Sequence, residues 1–471
     1  MTEYSFPDLP TLRELVKEDP VRHGGEAALL LADAGLELLE SGRWRESLSL
    51  LDEASHFTEL THPQAPPLPW GRRLAAARGM PVKRGYREVA LGIFRDAAHA
   101  LPAGHALWPI ATSRLATRLV DIYRTTGDRL VLNEAITVCS DAIGTVGSTA
   151  ASDATAQLRA NLADALRARF DLTQDAADLD RATSLWEAAL DQTPASHPDH
   201  PVFLSNLAND LLAQFDVTND LTDLNRAIAN FRQAVEETSP DEAHRPTLES
   251  NLGAALMRRF HCANGMADLD EAVASLRDAA AVEGPSQALA RSNLGAALQT
   301  RSTITGADAD HAEALTHLRA AAAILPADSP EYPATLSALA DGLFDAGQLS
   351  EARELFAEAE RRRESTLGPD HPDTLASRHN LASTMAALGH FSVAEGEFRS
   401  ILAARHRVLG DRHPDTLTTL HNLATVLSDL GRDDEAELLF EQLIQARTAV
   451  LGPDHPATRA SRTAFEEIAH Q

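Results

Sequence analysis

Leu367-Gly-Pro-Asp-His-Pro-Asp-Thr-Leu375 recurs as Leu409-Gly-Asp-Arg-His-Pro-Asp-Thr-Leu417 and again as Leu451-Gly-Pro-Asp-His-Pro-Ala-Thr-Arg459, a period of 42 residues. Between the copies lie Asn380-Leu-Ala and Asn422-Leu-Ala, followed by Leu388-Gly and Leu430-Gly. A period of this size marks a solenoid or array, in which each repeat is one supersecondary unit. The same register runs backward through the chain. Asn161-Leu-Ala, Asn206-Leu-Ala, Asn251-Leu-Gly and Asn293-Leu-Gly are spaced by 45, 45 and 42 residues.

Each of these segments is followed by a second pattern, Ala-x3-large-x2-small. It reads Ala182/Trp186/Ala189, Ala227/Phe231/Ala234, Ala272/Leu276/Ala279 and Ala314/Leu318/Ala321, then Ala352/Phe356/Ala359, Ala394/Phe398/Ile401 and Ala436/Phe440/Leu443. Upstream come Ser47/Leu51/Ala54, Ala90/Phe94/Ala97 and Ala135/Cys139/Ala142, which makes ten second helices at spacings of 38 to 47. Offsets of four and three put all three side chains on one helical face. The small residues let neighbouring helices approach, and the large one fills the gap. A single hairpin leaves an apolar face bare, and stacking on the next hairpin covers it. The punctuation agrees. Gly42, Gly347, Gly389 and Gly431 sit where a left-handed C-terminal residue is wanted, and Gly368, Gly410 and Gly452 can close the preceding helix. Pro372, Pro414 and Pro456 fit a first helical turn.

The pattern resembles the tetratricopeptide repeat family. Leu31, Ala34-Gly35, Leu38, Gly42, Ser47, Leu51 and Ala54 follow it closely. Residues 326–471 look like the 42-residue variety of kinesin light chains, ending in a capping helix. Residues 110–325 look like a longer variety of about 45 residues, with Arg-Phe ending the first helix and Asp-Leu-Asp opening the second. Arg169-Phe170 with Asp178-Leu-Asp180 and Arg259-Phe260 with Asp268-Leu-Asp270 are examples. That variety is similar to actinobacterial arrays that accompany a caspase-like CHAT protease or a STAND ATPase. Residues 25–109 read as irregular repeats, because Pro63, Pro66, Pro67, Pro69 and Pro81 interrupt a first helix, and residues 1–24 precede the array. The resemblance implies an all-α chain: an α-solenoid of about ten helix-turn-helix repeats wound into a right-handed superhelix.

Composition narrows the chemistry. The chain has 471 residues and a formal net charge of −27, which disfavours phosphate backbones and anionic lipid surfaces. Lys17 and Lys83 are the only lysines, and neither sits in a Walker A context or suits a Schiff base. Cys139 and Cys262 are too few and too far apart for a zinc knuckle or a disulfide framework, so a reducing cytoplasm is the expected compartment. The stretch Met1–Asp8 lacks a basic region followed by an apolar core, so no secretory signal is expected. No apolar run reaches the ~18 residues that cross a bilayer.

The resemblance places the candidate site. In this family the Asn position of the first helix often faces the concave groove, where an amide can donate to and accept from an extended peptide. Asn161, Asn206, Asn251, Asn293, Asn380 and Asn422 form that ladder, which Ala338 interrupts. His379 and His421 stand one position earlier in the last two rungs, where Ser205, Ser250, Ser292 and Ser337 stand before. The expected partner is a peptide or protein, with no cofactor, no metal and no catalytic residue. His371, His413 and His455 recur every 42 residues, but stacked helices lie about 8–10 Å apart, too far for metal bonds of about 2.0–2.1 Å. His-Pro is therefore read as turn and cap chemistry. Cys139 holds a large-residue core position, and His261-Cys262 are sequence neighbours that do not face each other on a helix. The expected function is a non-enzymatic interaction scaffold. The alternative is a sensor or regulatory subunit of a separately encoded protease or ATPase effector.

Overall fold

The computed structural model describes residues 108–146 and 153–469, with a few positions between residues 27 and 95. The chain divides into two compact units, Met1–Ser239 and Pro240–Gln471. The division falls within the stretch of longer repeats. The expectations for Gly42, Ser47/Leu51, Ala90/Phe94/Ala97 and the prolines of residues 60–85 lie outside the described residues.

In the first unit six helices are described: α1 Trp108–Thr126, α2 Arg129–Val146, α3 Asp153–Thr173, α4 Ala176–Leu190, α5 His200–Thr218 and α6 Leu221–Glu237. They pair as hairpins α1–α2, α3–α4 and α5–α6, and each hairpin packs on the next. The second unit continues with α7 Arg245–Ala263, α8 Met266–Ala281, α9 Gln287–Thr305, α10 Asp308–Ile324, α11 Tyr332–Asp345 and α12 Leu349–Leu367. It ends with α13 Pro372–Ala387, α14 Phe391–Val408, α15 Pro414–Asp429, α16 Asp433–Leu451 and the single helix α17 Pro456–Ala469, which packs on α16. All described elements are helices, and each unit is a stack of helical hairpins, the architecture of an α-solenoid.

The second-helix triads make the core. Trp186, Phe231, Phe356, Phe398 and Phe440 are among the largest fully buried side chains, and the alanines beside them are sealed as well. Where the triad has leucine, the facing first helix carries glycine. A Cβ on Gly253 would meet Leu276 Cγ at 2.4 Å, and one on Gly295 would meet Leu318 Cγ at 2.4 Å. Asn-Leu-Gly thus replaces Asn-Leu-Ala where the second helix presses closest. Cys139 is fully buried in its triad, and burial pushes its thiol up to about 12, so it is inert.

The turns differ between the two repeat varieties. In the longer one, the arginine near the end of the first helix forks onto the aspartate opening the second. Arg169 reaches Asp178 at 2.6 and 2.5 Å, Arg259 reaches Asp268 at 2.8 and 2.6 Å, and Arg301 reaches Asp310 at 2.7 and 2.8 Å. Bidentate forks of this kind fix geometry as well as charge. The hairpin α5–α6 lacks one, because Gln214 stands in place of the arginine and donates instead to Asp180 at 2.9 Å. Asn219 and Asn264 close α5 and α7 at φ of 56° and 55°, taking the left-handed position that glycine fills elsewhere.

In the 42-residue variety the His-Pro pairs are N-terminal caps. Nδ1 of His371, His413 and His455 each accepts the backbone N–H two residues on at 3.2 Å. The following proline then opens the helix, where a missing N–H leaves nothing unsatisfied. These histidines are anchored to their own turns.

Candidate functional site

The ladder lies on successive first helices, and the structure separates its rungs into two kinds. Asn161 on α3 is buried and occupied: its Nδ2 donates to the Ser113 carbonyl at 2.9 Å and to Ser113 Oγ at 3.0 Å on α1. Its Oδ1 accepts from Gln157 at 3.2 Å. Asn161 joins two hairpins and has no amide left to offer. Asn380 on α13 reaches back to Asp341 Oδ1 on α11 at 3.1 Å. Burial and Asp345 push the Asp341 carboxyl up to about 7. Asn422 on α15 reaches back to α13, donating to Ser383 Oγ at 3.2 Å and to His379 Nε2 at 3.1 Å.

Asn206, Asn251 and Asn293 are different. Each is half-buried, and none makes a side-chain hydrogen bond among the described residues. Asn206 lies in the first unit, and Asn251 and Asn293 lie in the second, on adjoining helices α7 and α9. Ser250, one position before Asn251, is buried, while Ser292 shares a 2.8 Å hydrogen bond with Thr335. At the Ala338 interruption, Gln299 of α9 donates to the Ala338 carbonyl at 2.9 Å.

The two ladder histidines have also diverged. His379 is buried against Phe398, with ring centroids 5.3 Å apart. Because Asn422 donates to Nε2, the ring proton sits on Nδ1, which faces Thr419 Oγ1 at 3.4 Å. Burial, with the Arg405 guanidinium nearby, pushes His379 down to about 4, so it is a neutral structural group. His421 packs edge-on to Phe440 at 5.5 Å and is only partly buried. One repeat beyond Asn422 the chain has Ala464, so His421 has no amide partner, and its Nδ1 has no hydrogen-bond partner among the described residues. Burial and Arg447 lower its pKa.

Two polar devices carry weight that the sequence reading did not assign. Arg363, Arg405 and Arg447 recur every 42 residues on the second helices. Arg405 Nη1 donates to the Asp415 carbonyl at 2.8 Å and Thr419 Oγ1 at 2.7 Å, and Arg447 Nη1 to the Ala457 carbonyl at 3.0 Å and Ser461 Oγ at 2.6 Å. Arg363 reaches Ser377 Oγ at 2.6 Å in the same way. Each arginine pins its second helix to the next first helix. The signal was the spacing itself: Arg, then a carbonyl ten residues on and a hydroxyl fourteen residues on. The second device is Asp210 on α5, which accepts from Trp186 Nε1 at 3.1 Å and from Arg167 at 3.0 Å. It is sealed, and burial raises its carboxyl to about 6.

Among the described residues, no three His, Cys, Asp or Glu side chains converge as a metal site requires. No described helix is long and apolar enough to cross a membrane. Among the described residues, the ladder groups left without a hydrogen-bond partner are the amides of Asn206, Asn251 and Asn293 and Nδ1 of His421.

Models of the tetratricopeptide repeat match residues 155–201 and 416–457, and a second such model matches residues 331–405. The chain carries tetratricopeptide repeats. The matches fall in both repeat varieties and in both compact units. Tetratricopeptide repeats form non-enzymatic protein-interaction scaffolds, and that is the general role the repeats support here. Among solved structures, the chain is similar to a putative kinesin light chain of Podosopora anserina with nearly identical TPR-like repeats. The identity is 26%, over 45% of this chain and 99% of that one, at a TM-score of 0.37. A STAND protein with a tetratricopeptide repeat sensor, from Pyrococcus horikoshii, is 12% identical over 86% of this chain and 57% of that one, at a TM-score of 0.49. A thermophilic TPR protein of Thermus thermophilus is 23% identical over 49% of this chain and 99% of that one, at a TM-score of 0.33. No curated protein matches the chain.

Proposed function

We propose that this tetratricopeptide-repeat protein binds an extended peptide segment of a partner protein through Asn251 and Asn293, adjoining ladder rungs of the second unit that make no side-chain hydrogen bond among the described residues. The observation that supports this reading is the division of the ladder. Asn161, Asn380 and Asn422 hold neighbouring helices together, whereas Asn251 and Asn293, like Asn206 in the first unit, are half-buried with no side-chain hydrogen-bond partner among the described residues. A carboxamide offers two donors and an acceptor, which matches the N–H and C=O of an extended chain. A polar group held partly out of water without a partner gains more from a ligand hydrogen bond than an exposed one does. His421, also in the second unit, adds a ring nitrogen, Nδ1, with no hydrogen-bond partner among the described residues. The near absence of lysine argues against a charged clamp on a chain-terminal carboxylate.

The test is capture of partners from native lysate by wild type and by an Asn251/Asn293→Ala variant that keeps wild-type helicity and melting temperature. The reading expects at least one partner that the wild type retains and the variant loses. Equal retention of every partner by both proteins would remove the ladder from the binding surface.

A further inference from the structure

The second unit also contains a groove that does not belong to the ladder. It has a volume of about 850 Å³ and lies between α12 and α14, with one flank of α13 as its floor. On α13 the lining residues are Arg378, Leu381, Ala382 and Met385, at i, i+3, i+4 and i+7. That spacing makes one helical face. His379, Asn380 and Ser383 fall on the opposite face of the same helix.

The repeat register shows what is unusual here. Arg378 stands where the preceding and following repeats carry Leu336 and Leu420. Glu397 stands where they carry Leu355 and Leu439, and Glu360 is replaced one repeat on by Leu402. Leu336 is buried, and Leu355, Leu402, Leu420 and Leu439 pack on the cores of their repeats. In the groove a charged trio takes the place of that leucine patch. Arg378 Nη2 lies 2.8 Å from Glu397 Oε2, and its Nε lies 3.9 Å from Glu360 Oε1. The side chains of Arg378 and Glu360 are only 20% and 23% exposed. Exchanging packed leucines for half-buried ions does not stabilise a repeat, and such a local departure from the core pattern marks a functional position. Ala357 leaves the groove open; one repeat on, Arg399 stands in its place.

We propose that this groove docks a partner segment carrying apolar side chains beside a lysine or arginine. Leu381 and Met385 give the apolar floor, and Val393 on α14, 54% exposed, adds an apolar wall. The rim chooses the charge. Four glutamates face three arginines, and Arg378 is already shared between Glu360 and Glu397. Glu354 and Glu364 are exposed and form no ion pair among the described residues. Burial, with Glu364 and Glu397 acting against Arg378, holds the Glu360 carboxyl above its ordinary range, so an arriving cation relieves it. The net field of the chain, at −27, points the same way.

A library of random dodecapeptides selected on the full-length chain tests this. Selected peptides are then measured on an Arg378→Leu/Glu397→Leu protein, which restores the leucines of the neighbouring repeats and is expected to melt at or above wild type. The expected result is a class of peptides that pair Lys or Arg with Leu, Ile or Phe and lose at least tenfold in affinity on the double variant. The same peptides bind more weakly at high salt and bind the Asn251/Asn293→Ala protein as wild type does. Should the double variant not fold, Glu397→Gln serves, with a loss of severalfold expected. The proposal is overturned if no peptide discriminates the folded variant from wild type. It is also overturned if the discriminating peptides lack basic residues, or if the ladder variant loses them too.

Discussion

Asn422 donates its side-chain amide to Nε2 of His379, 3.1 Å away on the preceding first helix. This contact joins two rungs of the ladder and makes both structural. Asn422→Ala removes that donor and the bond to Ser383 together, and should destabilise the C-terminal repeats by about 1–2 kcal/mol. Asn251→Ala and Asn293→Ala should change stability by less than about 0.5 kcal/mol, as substitutions that break no contact do. Thermal melts of the three variants check the split.

His379 makes the second unit sensitive to acid. Its folded pKa is about 4 against an ordinary value of 6.5. Below pH 6.5 the unfolded chain therefore binds a proton that the fold refuses. The stabilisation is fully present above pH 6.5, declines as pH falls toward 4, and is exhausted below that. The linked loss is on the order of 3 kcal/mol. Melting temperature against pH for wild type and His379→Gln should diverge across this window. Parallel curves would contradict the assignment.

Asp210 acts with the opposite sign in the first unit. Its folded pKa, about 6, lies above the ordinary 3.8, so the fold holds a proton that the unfolded chain releases. Its contribution is present below pH 3.8 and is lost as pH rises through 6. Asp210→Asn keeps an acceptor for Trp186 or Arg167 and should flatten the stability profile of that unit between pH 4 and 6. Hydrogen exchange of α3–α6 amides across this range reads it out.

Arg405 is buried and makes two charge-assisted hydrogen bonds to the next first helix. Arg405→Met keeps the aliphatic bulk and loses both bonds, which should destabilise the α14–α15 junction by about 3 kcal/mol. Urea unfolding followed by hydrogen exchange should show the loss confined to the last two hairpins and α17.

Gly253→Ala would drive a methyl group to 2.4 Å from Leu276 Cγ. The clash should destabilise the α7–α8 hairpin by about 1–3 kcal/mol. Phe398→Ala and Phe440→Ala, which empty sealed sites, should each lose about 3–5 kcal/mol. Calorimetric melts rank the three.

Much of the fold could be read from local pattern. The Ala-x3-large-x2-small triads are set by helical periodicity and by apolar burial, and every fully described triad is buried. The His-Pro caps were legible for the same reason: cap and helix start are neighbours in sequence. The ladder was not legible rung by rung. Asn161 meets Ser113, Asn380 meets Asp341 and Asn422 meets Ser383, and each partner lies a whole repeat away. Whether a rung is occupied depends on that distant residue, and the Asn itself reads identically in every copy. The Arg405 clamp was visible only as a period, since its partners follow ten and fourteen residues later. Asn219 and Asn264 lie 45 residues apart and Gly306 follows 42 residues on, in step with the repeats, so this left-handed turn position too was visible only as a period.

The most direct measurement compares dissociation constants for one captured partner on three folded proteins: wild type, Asn251/Asn293→Ala and Asn161→Ala. Two hydrogen bonds to the ladder should make the double variant about 5- to 150-fold weaker, at about 0.5–1.5 kcal/mol for each bond. Asn161→Ala, whose amide is committed to Ser113, should bind as wild type does once shown to be folded. Equal constants for wild type and the double variant, or a loss confined to Asn161→Ala, would contradict the account.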